Sequence, residues 1–198
     1  MIATERDRED IAAARTKWIE EMAKLDPAKL VFLDESGFNT KMTRSMGRCA
    51  RGAPCHGAVP HGHWGNNTFI AGLRADRIDA PMLLQGAMNG EAFAAWAEQE
   101  LAPTLGKGDI VICDNLNVHK NAQAKAAIEA RGAKLRFLPA YSPDLNPIEM
   151  VFAKIKFIVR SATARCFDTL CTAIGAALKA IPPDECAKYL RHAGYEPT

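Results

Sequence analysis

Two kinds of apolar pattern alternate along the chain. Short apolar runs bounded by Gly, Pro or acidic residues predict buried strands at 30–36, 109–115 and 133–140, with a strand pair turning near Asp76 to Asp79 inside 66–88. Apolar residues three or four positions apart predict helices over 5–25, 90–105 and 121–132, from Pro147 onward, and over 168–181. Three leading strands followed by alternating helices and strands favour an α/β fold, one mixed sheet flanked by helices.

Residues 37–65, "GFNTKMTRSMGRCARGAPCHGAVPHGHWG", fit neither pattern. The segment is rich in Gly and Pro and carries basic residues, so we predict a long loop or an irregular hairpin. A loop of this length inside a compact domain usually has a function.

Composition places the chain among globular proteins. Its 198 residues are enough for one domain with a real core. The start, "MIATERDRED", is no signal peptide, and no apolar stretch approaches the roughly 18 residues that span a membrane. The six cysteines form no C-x-x-C pair, which favours a reduced, cytoplasmic location.

The net charge of +2 is unevenly distributed. Residues 41–80 hold six Lys or Arg against two acids, and residues 119–165 hold nine against three. Both segments could bind a polyanion, and both could equally be ordinary solvated faces.

Three carboxylates stand at predicted element ends. Asp34 and Asp114 end apolar runs, and Glu149 begins a helix after a third run. In open α/β sheets such ends meet at one edge. Crowded carboxylates repel each other, and a bound divalent cation usually neutralises their charge. Ligands that are all oxygen atoms favour Mg²⁺ or Mn²⁺.

Glu149 also has a purely structural interpretation. In "NPIEMVF", Asn146 can cap the helix, Pro147 suits its first position, and Glu149 stands three residues after the cap. Capping and metal binding are compatible, because one carboxylate oxygen can serve each role.

Three segments, "LVFLDESGF", "DIVICDNLNVHK" and "YSPDLNPIEMVFAKIK", resemble the catalytic segments of the DDE transposases, and more narrowly the bacterial insertion-sequence branch of the mariner superfamily. Asp114 and Glu149 are separated by 34 residues (149 − 114 − 1), the interval typical of that branch. The resemblance runs from about residue 30 to about 195 and includes the tail from Cys186 to Tyr195.

The resemblance implies a ribonuclease-H-like fold with Asp34, Asp114 and Glu149 as ligands of two Mg²⁺ ions, for which Mn²⁺ can substitute. It implies that water cleaves double-stranded DNA at the transposon end. The freed 3′-hydroxyl then attacks target DNA at a TA dinucleotide, and the DNA complex contains a homodimer.

Other polar residues near these segments are candidates to support a metal ligand or to contact DNA, namely Asn115, His119, Lys154, Lys156, Arg160, Arg48 and Arg51. Each also has a purely structural alternative. Asn115 can be a turn residue, His119 can cap a helix or face solvent, and the Lys and Arg side chains can lie on a solvated edge. Glu35 is expected to support a metal ligand without binding the ion itself, or to face solvent, because neighbours on a strand face opposite sides. Asp144 is expected to be a turn residue.

Cys49, Cys55, His56, His61 and His63 supply enough ligands for zinc, but they lack the close paired spacing of a zinc finger. A loop that contacts DNA or clamps a second subunit is favoured instead. Trp64 either anchors that loop or joins the core.

We predict a linker helix at 1–28, a remnant of an upstream region, and a DDE catalytic domain at 29–198. A helix-turn-helix needs at least two packed helices, so the reader of terminal repeats would be encoded separately or lost. Two alternatives remain open: a related ribonuclease-H-like nuclease or resolvase, and a decayed or domesticated DNA-binding remnant without catalysis.

Overall fold

The computed structural model describes residues 4–44, 46–59, 61 and 65–196. Five strands form one sheet: β1 Leu30–Asn39, β2 Asn66–Leu73, β3 Ile78–Gln85, β4 Ile110–Cys113 and β5 Lys134–Phe137. Their spatial order is β3-β2-β1-β4-β5, with β1, β2 and β3 antiparallel and with β4 and β5 parallel to β1. The predicted mixed sheet is confirmed.

Six α-helices cover the sheet: α1 Glu9–Met22, α2 Gly90–Trp96, α3 Ala122–Ala130, α4 Ile148–Ala162, α5 Phe167–Lys179 and α6 Pro183–His192. A π-helical turn at Ala97–Leu101 and a 3-10 turn at Ala102–Thr104 continue α2. The prediction missed α6, which buries its own Cys186 and Leu190 against the core. Its sequence is mostly polar, so the apolar repeat is too sparse to indicate a helix.

Alternate residues of β1 divide the molecule into two cores. Leu30 and Phe32 pack with α1, α4, α5 and α6, whereas Val31 and Leu33 pack with α2 and α3 on the opposite face. Period-two alternation explains this division, since successive strand side chains point to opposite sides.

The prediction that Asp34 ends a strand is wrong. β1 continues to Asn39 because β2 pairs with it from Phe32 to Asn39, while the parallel neighbour β4 pairs only with Leu30 to Phe32. Asp34 therefore lies inside β1, just beyond the point where β4 stops. The gap beside it leaves room for a site.

Helix α1 packs on the same face of the sheet as α4. The indole nitrogen of Trp18 donates to the hydroxyl of Tyr195 at 3.0 Å, and that hydroxyl donates to the carbonyl of Leu145 at 2.7 Å. Arg15 donates to both carboxylate oxygens of Asp144 at 2.9 and 2.7 Å. The loop before α4 is thus held from two distant parts of the chain.

None of the helices within the described residues is both long and apolar enough to cross a membrane.

Candidate active site

Asp34, Asp114 and Glu149 line one cleft of about 460 Å³, together with Asn115 and Asn146. The cleft lies where β4 and β5 end and α4 begins. Asp34 comes from β1, Asp114 directly follows β4, and Glu149 comes from α4. The structure therefore brings together the three carboxylates that the sequence separates.

Asp34 is buried, and both of its carboxylate oxygens accept hydrogen bonds. Oδ1 accepts from the backbone nitrogen of Glu35 at 2.7 Å, and Oδ2 accepts from Nδ2 of Asn146 at 2.9 Å. Burial raises the pKa of Asp34 to about 7, and the negative charges of Glu149 and Asp114 add to the rise despite the hydrogen bond from Glu35. Burial, and after it the crowding of the three acids, thus favours the protonated form of Asp34.

The pKa of Asp114 is shifted in the opposite direction from that of Asp34. Burial would raise its pKa, but the hydrogen bond and the charge of His119 outweigh burial and hold the pKa below its ordinary value. Oδ1 accepts from the backbone nitrogen of Leu116 at 3.1 Å and faces Nδ1 of His119 at 2.6 Å. These two contacts use both lone pairs of Oδ1, which leaves Oδ2 for a ligand in the cleft.

His119 is completely buried between two carboxylates. Its Nε2 lies 3.0 Å from Oε2 of Glu35, and its Nδ1 faces Asp114. Both partners are acceptors, so the ring carries both protons. Burial opposes the charged ring, yet the two carboxylates raise its pKa to about 10. The alternatives that placed His119 in solvent or against DNA are wrong, because its surface is covered.

Glu149 stands in the first turn of α4 and is exposed. The predicted cap is wrong: Pro147 occupies the capping position without a side-chain hydrogen bond, and the Asn146 amide turns to Asp34 instead. Within the described residues, nothing donates a hydrogen bond to the Glu149 carboxylate. The sequence reasoning missed the role of Asn146, although its place in the "SPDLNPIE" block was the available signal.

The donor set of the cleft fits a hard divalent cation. Three carboxylates converge there, and Oδ1 of Asn146 is buried in the cleft without a partner. Oxygen ligands of this kind suit Mg²⁺ and Mn²⁺. In the present side-chain conformations, no three His, Cys, Asp or Glu side chains among the described residues stand close enough to hold one ion.

The other candidate residues are dispersed. Asn115 lines the cleft. Lys154 does not line the cleft. Its ammonium donates to the carbonyl of Ala180 at 2.9 Å and pairs with Glu185, so it supports no acid of the cleft, and its contact with DNA stays a prediction. Lys156 lies over the ring of Phe38, 5.8 Å from its centre.

Arg48 and Arg160 line a separate cavity, and Arg51 is exposed in the loop. Asp144 is a turn residue as expected, fixed by Arg15 and by Arg6 at 3.2 Å.

The predicted loop at 37–65 is wrong at its start, because residues 37–39 continue β1. Further along it is confirmed, since residues 46–59 are exposed and form neither helix nor strand. Cys49, Cys55, His56 and His61 are exposed, and among the described residues they form no group of three or more His, Cys, Asp or Glu side chains that could hold one metal ion. His63 and Trp64 lie outside the described residues.

Comparison with known proteins identifies the family. A model described as "DDE superfamily endonuclease" matches residues 29–171. The chain belongs to this family of DDE endonucleases. Among curated proteins, the chain is similar to the Transposable element Tcb1 transposase of Caenorhabditis briggsae, with 26% identity over 184 residues, which cover 85% of this chain and 67% of that protein.

Two solved structures share the ribonuclease-H-like fold of this DDE endonuclease. A Mos1 transposase paired-end complex with left transposon end matches with a TM-score of 0.76 and 15% identity over 98% of this chain and 61% of the Mos1 chain. A mariner Mos1 paired end complex with Mg matches with a TM-score of 0.76 and 15% identity over 97% and 60%. The chain thus spans about three fifths of the length of these Mos1 chains, and the predicted fold class is confirmed.

Proposed function

We propose that this DDE endonuclease is the catalytic domain of a transposase, which cleaves DNA phosphodiesters at transposon ends and joins the freed strand to target DNA. The observation that carries the proposal is the convergence of Asp34, Asp114 and Glu149 on one cleft. The Mos1 complex with a transposon end and the Tcb1 transposase support the same substrate class.

In this proposal Asp34, Asp114 and Glu149 hold two divalent ions, Mg²⁺ or Mn²⁺. Bound ions of this kind activate the attacking oxygen and stabilise the leaving one. Asp114 offers Oδ2, since His119 and Leu116 occupy its other oxygen. Glu149 is exposed and unpaired within the described residues, so its side chain can turn toward Asp34 and Asp114 at little cost.

The neighbouring side chains orient the acids. Asn146 holds one oxygen of Asp34 from the loop before α4, and Glu35 holds His119 from the opposite face of β1. We further propose a homodimer on double-stranded DNA, target joining at TA, and residues 1–28 as the connection to an upstream region. Helix α1 would then hold the loop before α4 as well as connect the two regions.

Nicking of supercoiled plasmid with Mg²⁺ or with EDTA tests the proposal. We expect Asp34→Asn, Asp114→Asn and Glu149→Gln each to abolish nicking while non-specific DNA binding persists. Glu98→Gln, an exposed position away from the cleft, is the matched control and should nick normally. If the parent chain binds DNA but never nicks it with Mg²⁺ or Mn²⁺, the chain is a non-catalytic remnant. If it nicks only branched or otherwise structured DNA, it is a related nuclease.

A further inference from the structure

A basic cavity lies beside the carboxyl-terminal half of α4. About 800 Å³ in volume, it is lined by Arg44, Met46, Gly47, Arg48, Phe157 and Arg160. A second cavity of about 410 Å³ shares Arg44 and Arg160 and adds Arg165. We call this surface, defined by Arg44, Arg48, Arg160, Arg165, Met46 and Phe157, the arginine groove.

The charges of the arginine groove are not neutralised within the described part of the chain. No Asp or Glu is among the described residues lining either cavity, and Arg44, Arg48 and Arg160 form no ion pair there. Arg44 donates only to Oγ of Ser161, at 3.1 Å. By contrast, Arg15, Arg74 and Arg136 all pair with carboxylates. The groove therefore suits a polyanion.

Two large apolar side chains lie among these cations. Met46 is 87% exposed and Phe157 is 70% exposed, the highest values among the exposed large apolar residues of the described chain. Proteins that bind nucleic-acid strands often place arginines against the phosphates and an aromatic ring against a sugar or a base. This combination favours DNA over a purely ionic ligand.

Helix α4 links the arginine groove to the acidic cleft. Glu149 and Arg160 lie 11 residues apart on α4, which is about 16 Å along the axis at a rise of about 1.5 Å per residue. Eleven residues are close to three full turns, so both side chains leave the same side of the helix. One DNA strand advances about 3.4 Å per nucleotide, so this separation spans about five nucleotides.

We propose that the arginine groove binds the DNA backbone about five nucleotides from the phosphate in the acidic cleft. The inference rests on the proposed function, since it takes the cleft as the place of the scissile phosphate. The groove would be a second DNA-binding site beside α4, and it would determine which phosphate of the duplex reaches the acidic cleft.

Salt dependence of binding tests the groove without any cleavage. The full chain is titrated into a labelled 30-base-pair duplex in EDTA at several salt concentrations, and fluorescence anisotropy gives the affinity. Each lost phosphate contact lowers the slope of log affinity against log salt by about 0.9. We expect a reduction of about one for Arg44→Gln, Arg48→Gln or Arg160→Gln singly, and of about three for the triple variant. Arg131→Gln, an exposed arginine after α3 on the other face of the sheet, is the control and should leave the slope unchanged.

The position of the contact is tested by replacing single phosphates with neutral methylphosphonates. We expect binding to weaken at phosphates about five nucleotides from the mapped nick, and this interference should vanish in the triple variant. Slopes that match those of the parent chain would overturn the proposal.

If Phe157→Ala instead abolished a DNA-free dimer in sedimentation while the slopes stayed unchanged, a second copy of the chain would occupy the groove and the proposal would be wrong. If the slopes fall as expected in the groove variants but the parent chain never nicks DNA with Mg²⁺ or Mn²⁺, the groove binds DNA and the proposed function alone is wrong.

Discussion

At the scale of single residues, the cleft places three carboxylates in three different electrostatic states. Asp34 is buried and crowded, Asp114 is paired with a buried cation, and Glu149 is exposed. Burial and like charges favour the protonated form of Asp34, whereas His119 favours the ionised form of Asp114. A divalent ion would relieve the repulsion that Asp34 experiences.

Metal affinity should therefore depend on pH through Asp34. Its pKa of about 7 lies above its value in an unfolded chain. Between these two pKa values only the unfolded chain releases the proton of Asp34. The metal-free fold therefore loses stability as the pH rises toward 7, and the loss is complete above 7. Since a bound ion needs the ionised carboxylate, Mn²⁺ affinity should rise by about tenfold per pH unit below 7 and level off above it.

Calorimetric titration of the chain with Mn²⁺ at pH 5.5, 6.5 and 8 measures this dependence. Asp34→Asn is the matched variant, because it removes the titrating group while keeping the shape of the side chain. A dependence on pH that survives in Asp34→Asn would show that another group controls binding.

Glu35, His119 and Asp114 should behave as one electrostatic unit. Removing one partner of a buried ion pair costs about 3–5 kcal/mol, because the other charge is left without compensation. We expect His119→Gln to lower the free energy of unfolding by about this amount, and Glu35→Gln to lower it less, since Asp114 still neutralises the ring.

A double-mutant cycle with urea denaturation checks this coupling. The double variant Glu35→Gln/His119→Gln should be more stable than the sum of the two single effects predicts, because it no longer leaves Glu35 as an unpaired carboxylate. Strictly additive effects would mean that the contact at 3.0 Å between His119 and Glu35 contributes nothing.

At the scale of elements, α1 has a structural task. It contributes Ile11, Trp18 and Met22 to buried surface, and it holds the loop before α4 through Arg15 and Trp18. The assignment of residues 1–28 as a linker stays a prediction. A helix can connect two regions and still be part of the core of one of them.

Trp18→Ala should lower the free energy of unfolding by about 3–5 kcal/mol, because it leaves a cavity and removes the hydrogen bond to Tyr195. Ile19→Ala is the matched control: the neighbouring side chain is 52% exposed, so the loss should be small. Thermal and urea denaturation of both variants measure the difference. Equal stability of Trp18→Ala and the parent chain would mean that α1 does not contribute to the domain in solution.

At the scale of the whole molecule, the chain carries an acidic cleft at the start of α4 and a basic groove beside its other half. The described residues before β1 contain one α-helix, and that helix packs on the core. A helix-turn-helix needs a second helix and a free recognition face. Binding by this chain should therefore depend on phosphates rather than on base edges.

We expect this 198-residue chain to bind a duplex from the ends of its element and a scrambled duplex within a few-fold of each other at moderate salt, with steep salt dependence. Competition between the two duplexes in fluorescence anisotropy measures the ratio. A preference of a hundredfold or more for the element's own ends would show that the chain reads sequence after all.

Local patterns in the chain predict the five strands apart from the far end of β1, five of the six α-helices in the described residues, the long loop after β1, and the three acids that line one cleft, because each depends on residues that are neighbours in sequence. Apolar period, turn residues and the blocks around Asp114 and Glu149 are all short-range signals.

The supporting contacts depend on partners that no local pattern links: Asn146 lies 112 positions after Asp34, His119 lies 84 positions after Glu35, and Asp144 lies 129 positions after Arg15. The local sequence around Asn146 fits two roles equally well, that of a helix cap and that of a donor to a distant carboxylate. Packing of α4 against β1 brings the Asn146 amide to Asp34, whose buried carboxylate needs a hydrogen-bond donor.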